Sequence, residues 1–562
     1  MKLICLVLTY SLVFSFVSCK HNNNTPSTRL ISALELKKGQ VISCGLTDKQ
    51  YGKVEFDISC SDKVKQDFNL AVELLHSFEY EEAEKVFSRI IDKEPGCAMA
   101  YWGVAMANFH ALWTPPSESE LEKGLKAVQI AQTLKASKRE TEYINAIASF
   151  YKDWNKLDHH SRCLLFELEM QKVYNNFPGD IEAAVFYALA LDAAADPSDK
   201  SFSKQKKAAS ILSALYPGHP DHPGIVHYLI HTYDYPELAI LGLPAARKYA
   251  SIAPSSAHAL HMPSHIFTRL GLWDECIQSN LQSVSSAQCY AETARLKGHW
   301  DEELHSLDYL EYAYLQKGAN DSAKKLIDNL KTISNVDPVS FKDAYSFAAI
   351  PARFVLENRL WKGAAGLQLA PANFPWSDFP WQEAIIHFTR ALGSIRIGQL
   401  SAADKDLKEL SRLYDTLIQL KDNYKANQVA IQMKAIEAWI KLKEGKKNEA
   451  LVLMQFAAEM ENKTEKHPVT PCEVIPAKEL LGDMLMELSK PNEALIAYEE
   501  DLRKHPNRFN ALYGAGLAED RSGNSSKAIS YFQQLLSILA NTHSNRPEIN
   551  KSRQYIKLTA LR

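Results

Sequence analysis

Residues 481–506 read LGDMLMELSKPNEALIAYEEDLRKHP, and residues 515–540 read AGLAEDRSGNSSKAISYFQQLLSILA. A glycine, an alanine and an aromatic residue occur at the same positions in both stretches, 34 residues apart: Gly482, Ala494 and Tyr498, then Gly516, Ala528 and Phe532. The last position differs, with Pro506 in the first stretch and Ala540 in the second. Small residues let two helices approach closely, an aromatic ring fills the space toward the next unit, and proline ends the second helix. The period therefore predicts stacked helix-turn-helix units.

The same frame fits the start of the chain. A unit beginning near Val64 has Ala83, Phe87 and Pro95 at the corresponding positions. A 34-residue unit with this pattern resembles the tetratricopeptide repeat. The resemblance implies an all-α solenoid, a superhelix of helix-turn-helix units whose concave groove is lined by the first helix of each unit.

The length of 562 residues allows either several domains or one long repeat array, and the repeats favour the array. We predict a signal peptide at 1–18, and a tether with a short N-terminal segment at 19–63. A solenoid with a histidine-rich groove follows at 64–370. A second solenoid at 371–562 has its clearest repeats near 475–508 and 509–542, and the tract PANFPWSDFP at 371–380 joins the two blocks.

Composition bears on the kind of partner. The chain has 64 lysines and arginines against 67 aspartates and glutamates, a net charge of −3. A nucleic-acid-binding protein would normally be basic, so we predict no nucleic-acid partner. The motifs HExxH and GxSxG and the P-loop do not occur, so no zincin, serine hydrolase or nucleotide hydrolase is indicated.

The first residues, MKLICLVLTYSLVFSFVSCK, have the pattern of a secretory signal: Lys2 precedes an apolar run that ends at Ser18-Cys19. A small residue followed by cysteine resembles the lipobox of bacterial lipoproteins, in which Cys19 is acylated. Phe16 departs from the usual leucine, so cleavage by signal peptidase I is the alternative. We predict a membrane-anchored lipoprotein of the cell envelope facing the periplasm, or secretion to the periplasm if Cys19 is not acylated.

Export to an oxidising compartment makes Cys44 and Cys60 a candidate disulfide pair. Between them, Gly45, Gly52 and the residues near Val54 suggest a turn and a short extended piece. The other cysteines lie in helical patterns and are predicted to be small buried hydrophobes. They are Cys97, Cys163, Cys276, Cys289 and Cys472.

Histidine is unevenly distributed: seven of the eighteen fall between residues 219 and 265. Five of these seven lie in two passages, HYLIHTYD at 227–234 and HALHMPSH at 258–265. Histidines spaced in this way share one face of a helix, although Pro263 can kink the second passage. Helices present imidazole ligands to metal ions with this spacing. The candidate ligands are His227, His231, His258, His261 and His265.

Several neutral imidazoles with a carboxylate suit Zn²⁺, Cu²⁺ or Fe²⁺. Asp234 is the candidate catalytic residue, either orienting a ligand or acting as a general base. The competing hypothesis is that each histidine bonds a backbone carbonyl or a neighbouring aspartate and only stiffens the stack. The repeat resemblance also allows His76, His110 and His305 to face the same groove.

Arg353 stands in an otherwise apolar helical pattern, IPARFVLENRLW at 350–361. Such an arginine usually extends to the surface, and the alternative is that it pairs with a carboxylate of the array or of a ligand.

Longer segments resemble a family of exported bacterial tetratricopeptide-repeat proteins. They span residues 74–361 and include LLHSFEYEEAEKVF, CAMAYWGVAM, HYLIHTYDYPELA, HALHMPSHIFTRLGLW and HSLDYLEYAYLQKG. The resemblance implies the solenoid but no activity. Two functions stay open. The first is a membrane-tethered scaffold whose concave groove binds a protein or peptide. The second is a metal-binding protein or metal-dependent enzyme that uses the histidine cluster.

Overall fold

A computed structural model describes residues 25–45, 50–112, 115–196, 199–540 and 542–559. Cys19 and the predicted signal peptide lie outside these residues. Within them the chain forms α-helices, two 3-10 helices and no strand, and a single isolated β-bridge joins His299 to Val336. The segment near Val54 is irregular, and the Val54 amide donates to the Glu73 carboxylate at 3.2 Å.

The helices up to residue 294 build the first six units. They are α1 (Thr28–Ser32), α2 (Asp62–His76), α3 (Tyr80–Lys93), α4 (Ala98–Ala107), α5 (Glu118–Thr133), α6 (Lys138–Tyr151), α7 (His159–Asn176), α8 (Ile181–Ala193), α9 (Ser203–Leu215), α10 (Pro223–Thr232), α11 (Ala239–Ile252), α12 (Ala257–His261), α13 (Pro263–Leu270) and α14 (Trp273–Ala294). A 3-10 turn, Tyr216–Gly218, follows α9.

The remaining helices continue the array. They are α15 (Asp301–Gln316), α16 (Asn320–Leu330), α17 (Phe341–Glu357), α18 (Trp361–Ala365), α19 (Pro380–Arg396), α20 (Leu400–Gln419), α21 (Asn423–Lys443), α22 (Lys447–Asn462), α23 (Ala477–Glu487), α24 (Pro491–Lys504), α25 (Phe509–Arg521), α26 (Ser525–Ile538) and α27 (Pro547–Thr559). The second 3-10 turn, Trp376–Asp378, precedes α19.

Successive helices pack as pairs, and the first helices of most neighbouring pairs also touch one another. The two quoted repeats show why. A Cβ atom added to Gly482 in α23 would lie 2.6 Å from the Tyr498 ring of α24, and one added to Gly514 in α25 would lie 2.5 Å from it. Tyr498 therefore fills the space between two units, as the sequence predicts. The molecule is an all-α tetratricopeptide-repeat solenoid.

The buried core of the described residues divides into three hydrophobic clusters along the array. The first extends from Leu34 to α15, the second from α15 to α25, and the third from α25 to α27. Residues 371–380, where the sequence suggests a junction between two blocks, lie between α18 and α19, which pack on each other within the second cluster.

The first helices do not form an empty groove along their whole length, because the chain packs against them itself. Residues 463–476, which join α22 to α23 and are called the inner loop below, supply several of these contacts. Lys466 Nζ lies 3.1 Å from Asp234 Oδ2, Tyr309 donates to the Thr470 carbonyl at 3.1 Å, and Arg353 donates to the Cys472 carbonyl at 3.1 Å. The solenoid also turns back on itself, so that α10 contacts α2.

The predicted pairing of Cys44 with Cys60 is wrong. Cys44 is bonded to Cys289 and Cys60 to Cys97, so neither Cys97 nor Cys289 is a free buried thiol. The segment before α2 runs across several units, and each cysteine meets whichever helix it crosses rather than its neighbour in sequence. The other three cysteines of this group are free and buried, as predicted: Cys163, Cys276 and Cys472.

Arg353 does not extend to the surface. Its side chain is fully buried and pairs with Asp308 across α15 and α17, the alternative that the sequence left open. None of the helices in the described ranges combines the length and the apolar character needed to cross a membrane.

Candidate metal centre

The histidine passages lie on α10, α12 and α13. Pro223 opens α10, where its missing N–H costs nothing, and places His227 and His231 one turn apart. Ser256 caps α12, accepting from the Ala259 amide at 3.1 Å. Pro263 opens α13, so the second passage is interrupted at Met262, in line with the kink that the sequence allows.

Three imidazoles form what we call the first triad: His227, His231 and His258. Nε2 of His227 lies 3.0 Å from Nε2 of His231 and 3.2 Å from Nε2 of His258. One ligand atom from each residue lies within 4.8 Å of the other two. Two neighbouring helices, α10 and α12, therefore bring these three nitrogens to one point.

A second triad consists of His261, His265 and His305. Nε2 of His261 lies 3.1 Å from Nε2 of His265 across the interruption between α12 and α13. His305 reaches them from α15, with its ring centroid 4.2 Å from that of His261. All three residues are buried. The five predicted residues thus divide between two triads, and His305 completes the second.

The other ring nitrogens of the second triad have fixed partners. His261 Nδ1 lies 2.7 Å from Asn280 Oδ1, which accepts because Asn280 Nδ2 donates to the Cys276 carbonyl at 2.8 Å. His265 Nδ1 lies 3.0 Å from Asp234 Oδ2. Both Nδ1 atoms are therefore donors, and in the neutral rings both Nε2 atoms carry lone pairs that face each other.

The first triad is held in a similar way. His227 Nδ1 donates to the His76 carbonyl at 2.6 Å, which leaves the lone pair on Nε2. His258 Nδ1 lies 3.9 Å from a carboxylate oxygen of Glu302. Hydrogen bonds of metal-binding histidines to carbonyls and carboxylates orient the rings and raise their basicity.

Burial is the main cause of the shifts in these histidine pKa values. It holds the pKa of His227, His231, His261 and His305 well below its usual value, with nearby imidazoles adding to the effect. Burial also lowers the pKa of His265 to about 4. These rings are therefore neutral at pH 7, the protonation state in which an imidazole binds a metal ion.

The short Nε2–Nε2 distances within the triads suit metal coordination. Metal–nitrogen bonds of about 2.0–2.1 Å place two ligands of a tetrahedral site about 3.3 Å apart. The Nε2 contacts of 3.0, 3.2 and 3.1 Å lie close to that value. Three protein ligands leave the fourth position of a tetrahedral site open to water or substrate.

The competing hypothesis, simple stiffening by hydrogen bonds, accounts for only part of this arrangement. It explains the Nδ1 contacts with a backbone carbonyl, an amide and an aspartate. It does not explain the two imidazole nitrogens that lie within hydrogen-bond distance of Nε2 of His227. Nε2 carries a single lone pair, which can accept one good hydrogen bond but not two.

Asp234 lies at the edge of the second triad and is surrounded by donors. Arg269 Nε donates to Oδ1 at 2.8 Å, while His265 Nδ1 and Lys466 Nζ lie 3.0 and 3.1 Å from Oδ2. The nearby cations hold the pKa of Asp234 well below its usual value despite burial. Of the two roles that the sequence allows, orienting a ligand fits these contacts better than accepting a proton from substrate.

Aromatic rings enclose both triads. Phe78 stacks on His231 with centroids 5.7 Å apart, and Tyr249 stacks on His227 at 5.0 Å. Tyr309 packs on His261 and His265 at 4.7 and 4.9 Å. A dry surround strengthens electrostatic interactions within it.

The first triad borders a cavity of about 1110 Å³, with His258, Phe78 and Glu302 among its lining residues. The second triad lies behind it and does not line this cavity. The two triads therefore differ in their access to small molecules.

Two other histidines named from the sequence lie elsewhere. His76 is buried and bonds Glu182 at 2.8 Å and the Tyr228 hydroxyl at 2.9 Å. His222 bonds the same carboxylate at 2.7 Å, so this group is already internally paired. His110 lines the cavity beside Glu120.

The sequence pattern does not identify the residues that orient the imidazoles. Asn280, Glu302 and Lys466 lie on α14, on α15 and in the inner loop, far from the histidine passages in sequence. Polar residues of these types are common on helices, so no pattern in the sequence singles them out.

Comparison with known proteins agrees with the repeat assignment. Residues 480–542 match the family model described as tetratricopeptide repeat, in the part of the chain where the period is clearest. This match identifies a tetratricopeptide repeat at residues 480–542, and the rest of the described array shares the all-α solenoid fold. A search of curated proteins finds no match.

Several solved structures share a distant likeness. Two human IFIT1 dimer structures, with PPP-AAAA and with m7Gppp-AAAA, are 12% identical over 83% of this chain and 95% of theirs, with TM-scores of 0.33 and 0.34. The TPR domain of P58(IPK) is 15% identical over 68% of this chain and 100% of its own, with a TM-score of 0.20. Likeness at this level carries no functional argument.

Proposed function

We propose that this protein binds divalent transition-metal ions through the buried histidines that α10, α12, α13 and α15 bring together. One observation carries the proposal: Nε2 of His261 and Nε2 of His265 lie 3.1 Å apart while both Nδ1 atoms act as donors. Two facing lone pairs repel unless a proton or a cation lies between them. Burial disfavours a second proton on either ring, so a cation is the fitting occupant.

The donor set narrows the choice of metal. Each triad offers imidazole nitrogens, which suit Zn²⁺, Cu²⁺ and Fe²⁺. Burial raises the pKa of the nearby Cys276 thiol to about 12, and its sulfur lies 3.5 Å from the Thr268 hydroxyl and from Asn280 Nδ2. Asp234 and Glu302 supply negative charge beside the rings.

Elemental analysis of protein purified without a histidine tag tests this function. We expect stoichiometric zinc, copper or iron in the wild type and reduced metal in His261→Ala. His387→Ala is the matched control, because His387 is a buried histidine bonded to Asp406 at 2.8 Å in the other half of the chain. Metal-free wild-type protein after loading with each of the three ions would contradict the proposal.

We further propose that the protein is exported and anchored to a membrane of the cell envelope through acylated Cys19, facing the periplasm. The signal-like first residues support this location, and so do two disulfides, which persist in oxidising compartments. Cys19→Ser should move the protein from the membrane fraction to the soluble fraction. If wild type and Cys19→Ser were both found in the soluble fraction, cleavage by signal peptidase I would be favoured instead.

A second candidate function is binding of a protein or peptide ligand on the side formed by the first helices. The cavity of about 1110 Å³ favours it, since its wall includes Tyr80, Tyr290 and Trp300 among many charged side chains. Tyr290 and Trp300 stack with centroids 4.2 Å apart and offer an aromatic platform. In a peptide-library screen, Trp300→Ala should lose at least tenfold in affinity for the selected peptides. If wild type and Trp300→Ala bound the peptides with equal affinity, the peptides would not bind at this aromatic platform.

A further inference from the structure

We infer that the six histidines form two adjacent metal sites, one in each triad, rather than one shared site. This inference rests on the proposed metal binding. It goes beyond that proposal by giving the number of metal ions, the arrangement of their sites and the access of each site to small molecules. It also assigns a ligand role to His305, which the repeat frame placed only near the groove.

The ligand atoms divide into two sets of three. Within each triad one nitrogen per residue lies within 4.8 Å of the other two, and the two sets have no member in common. The division falls within α12, because His258 joins the α10 histidines while His261, three residues later, joins His265 on α13 and His305 on α15. His231 and His265 lie where the triads meet, with ring centroids 6.3 Å apart.

Each triad also has its own orienting groups. His227 donates to a backbone carbonyl and His258 faces Glu302, whereas His261 and His265 donate to Asn280 and Asp234. Two carboxylates therefore stand beside the cluster, Glu302 near His258 and Asp234 at His265. A single ion would need only one such set of partners. Two cations side by side repel each other, so each position needs negative charge nearby to offset that repulsion.

The two sites differ in exposure. His258 lines the large cavity together with Phe78, so an ion in the first triad can take water or a small anionic or neutral ligand at its open position. The second triad is buried beneath Tyr309 and the inner loop. We therefore assign exchange and ligand binding to the first site and a slower, structural role to the second.

Zinc stoichiometry after loading and removal of excess metal tests the inference. Wild type should hold two Zn²⁺ per chain, and His231→Ala and His305→Ala should each hold one. His387→Ala should keep two. With a chelator in excess, wild type should lose its zinc in two phases, and the phase missing in His231→Ala should be the fast one.

The outcomes separate this inference from the proposed function. No zinc, copper or iron in loaded wild type would overturn both. One Zn²⁺ per chain that disappears in either variant would overturn the paired sites and leave metal binding intact.

A second measurement does not depend on the variants being folded. Wild-type protein loaded with two Cu²⁺ per chain should give an electron paramagnetic resonance spectrum that is broadened by the neighbouring ion. With one Cu²⁺ per chain, in one site, the spectrum should not be broadened. An unbroadened spectrum at full loading would contradict adjacent sites.

Discussion

At the scale of single residues, the candidate centre depends on side chains that fix ring orientation. Five of its six histidines can be predicted from the sequence, because they lie in two short passages with helical spacing. Which ring nitrogen faces inward cannot be predicted, because it is set by partners such as Asn280 and the His76 carbonyl. Those partners come from other helices, and no local pattern identifies them.

Asn280 provides a direct test of this orienting role. Asn280→Leu keeps the approximate volume but removes the acceptor for His261 Nδ1. We expect metal affinity at the second triad to fall about 10- to 100-fold, the usual cost of losing an orienting partner. Competition with a chromophoric chelator measures it. Affinity at the first triad serves as the internal control, and equal affinity at both sites would contradict the role given to Asn280.

The buried carboxylate of Asp192 should make the stability of the folded protein depend on pH. Its Oδ2 accepts from Thr232 at 2.7 Å, its Oδ1 is buried without a hydrogen-bond partner, and burial raises its pKa to about 8. Since the folded pKa lies above the unfolded one, the free energy of unfolding falls as pH rises from about 4 to about 8.

Asp192→Asn should therefore stabilise the protein by roughly 1–3 kcal/mol at pH 8 and have little effect near pH 4. Denaturant unfolding at both pH values measures this difference. Asp180→Asn is the control of opposite sign, because Asp180 caps α8 and pairs with Arg139. A destabilised Asp192→Asn at pH 8 would contradict the assigned pKa.

At the scale of helices, the 34-residue period predicts the packing where small and aromatic residues alternate. Gly482 and Tyr498 occupy the predicted contact between α23 and α24. The period does not predict α12 and α13 as separate helices, although Pro263 indicates the position of the break. It also does not predict the inner loop, whose contacts with first helices depend on residues far apart in the chain.

Gly482→Ala should destabilise the protein by roughly 1–3 kcal/mol, since the added methyl group overlaps the Tyr498 ring. Gly363→Ala is the matched control, because the nearest atom to its added Cβ lies 3.5 Å away in ordinary contact. There alanine should be neutral or stabilising by up to about 1 kcal/mol, since it favours the helix. Equal effects of the two changes in thermal unfolding would contradict the proposed helix contact.

At the scale of the whole molecule, the solenoid turns back so that units distant in sequence meet. The disulfide between Cys44 and Cys289 and the contact of α2 with α10 are results of this turn. Neither can be predicted from the repeat, which describes only neighbouring units. The wrong pairing of Cys44 with Cys60 has the same origin.

Removal of the long-range disulfide tests the importance of this closure. Cys44→Ser with Cys289→Ser should lower the free energy of unfolding by roughly 2–5 kcal/mol, because the bond joins positions 245 residues apart. Cys163→Ser, at a free buried cysteine, is the control for loss of a thiol alone. A loss in the double variant no larger than in the control would show that packing, not the bond, closes the turn.

X-ray absorption of the metal-loaded full chain shows directly whether imidazoles hold the ions. We expect nitrogen ligands at about 2.0 Å with the outer-shell scattering of several imidazoles, and loss of that scattering in His231→Ala combined with His305→Ala. Sulfur ligands at about 2.3 Å, or a spectrum unchanged in the double variant, would contradict a metal centre built from these histidines.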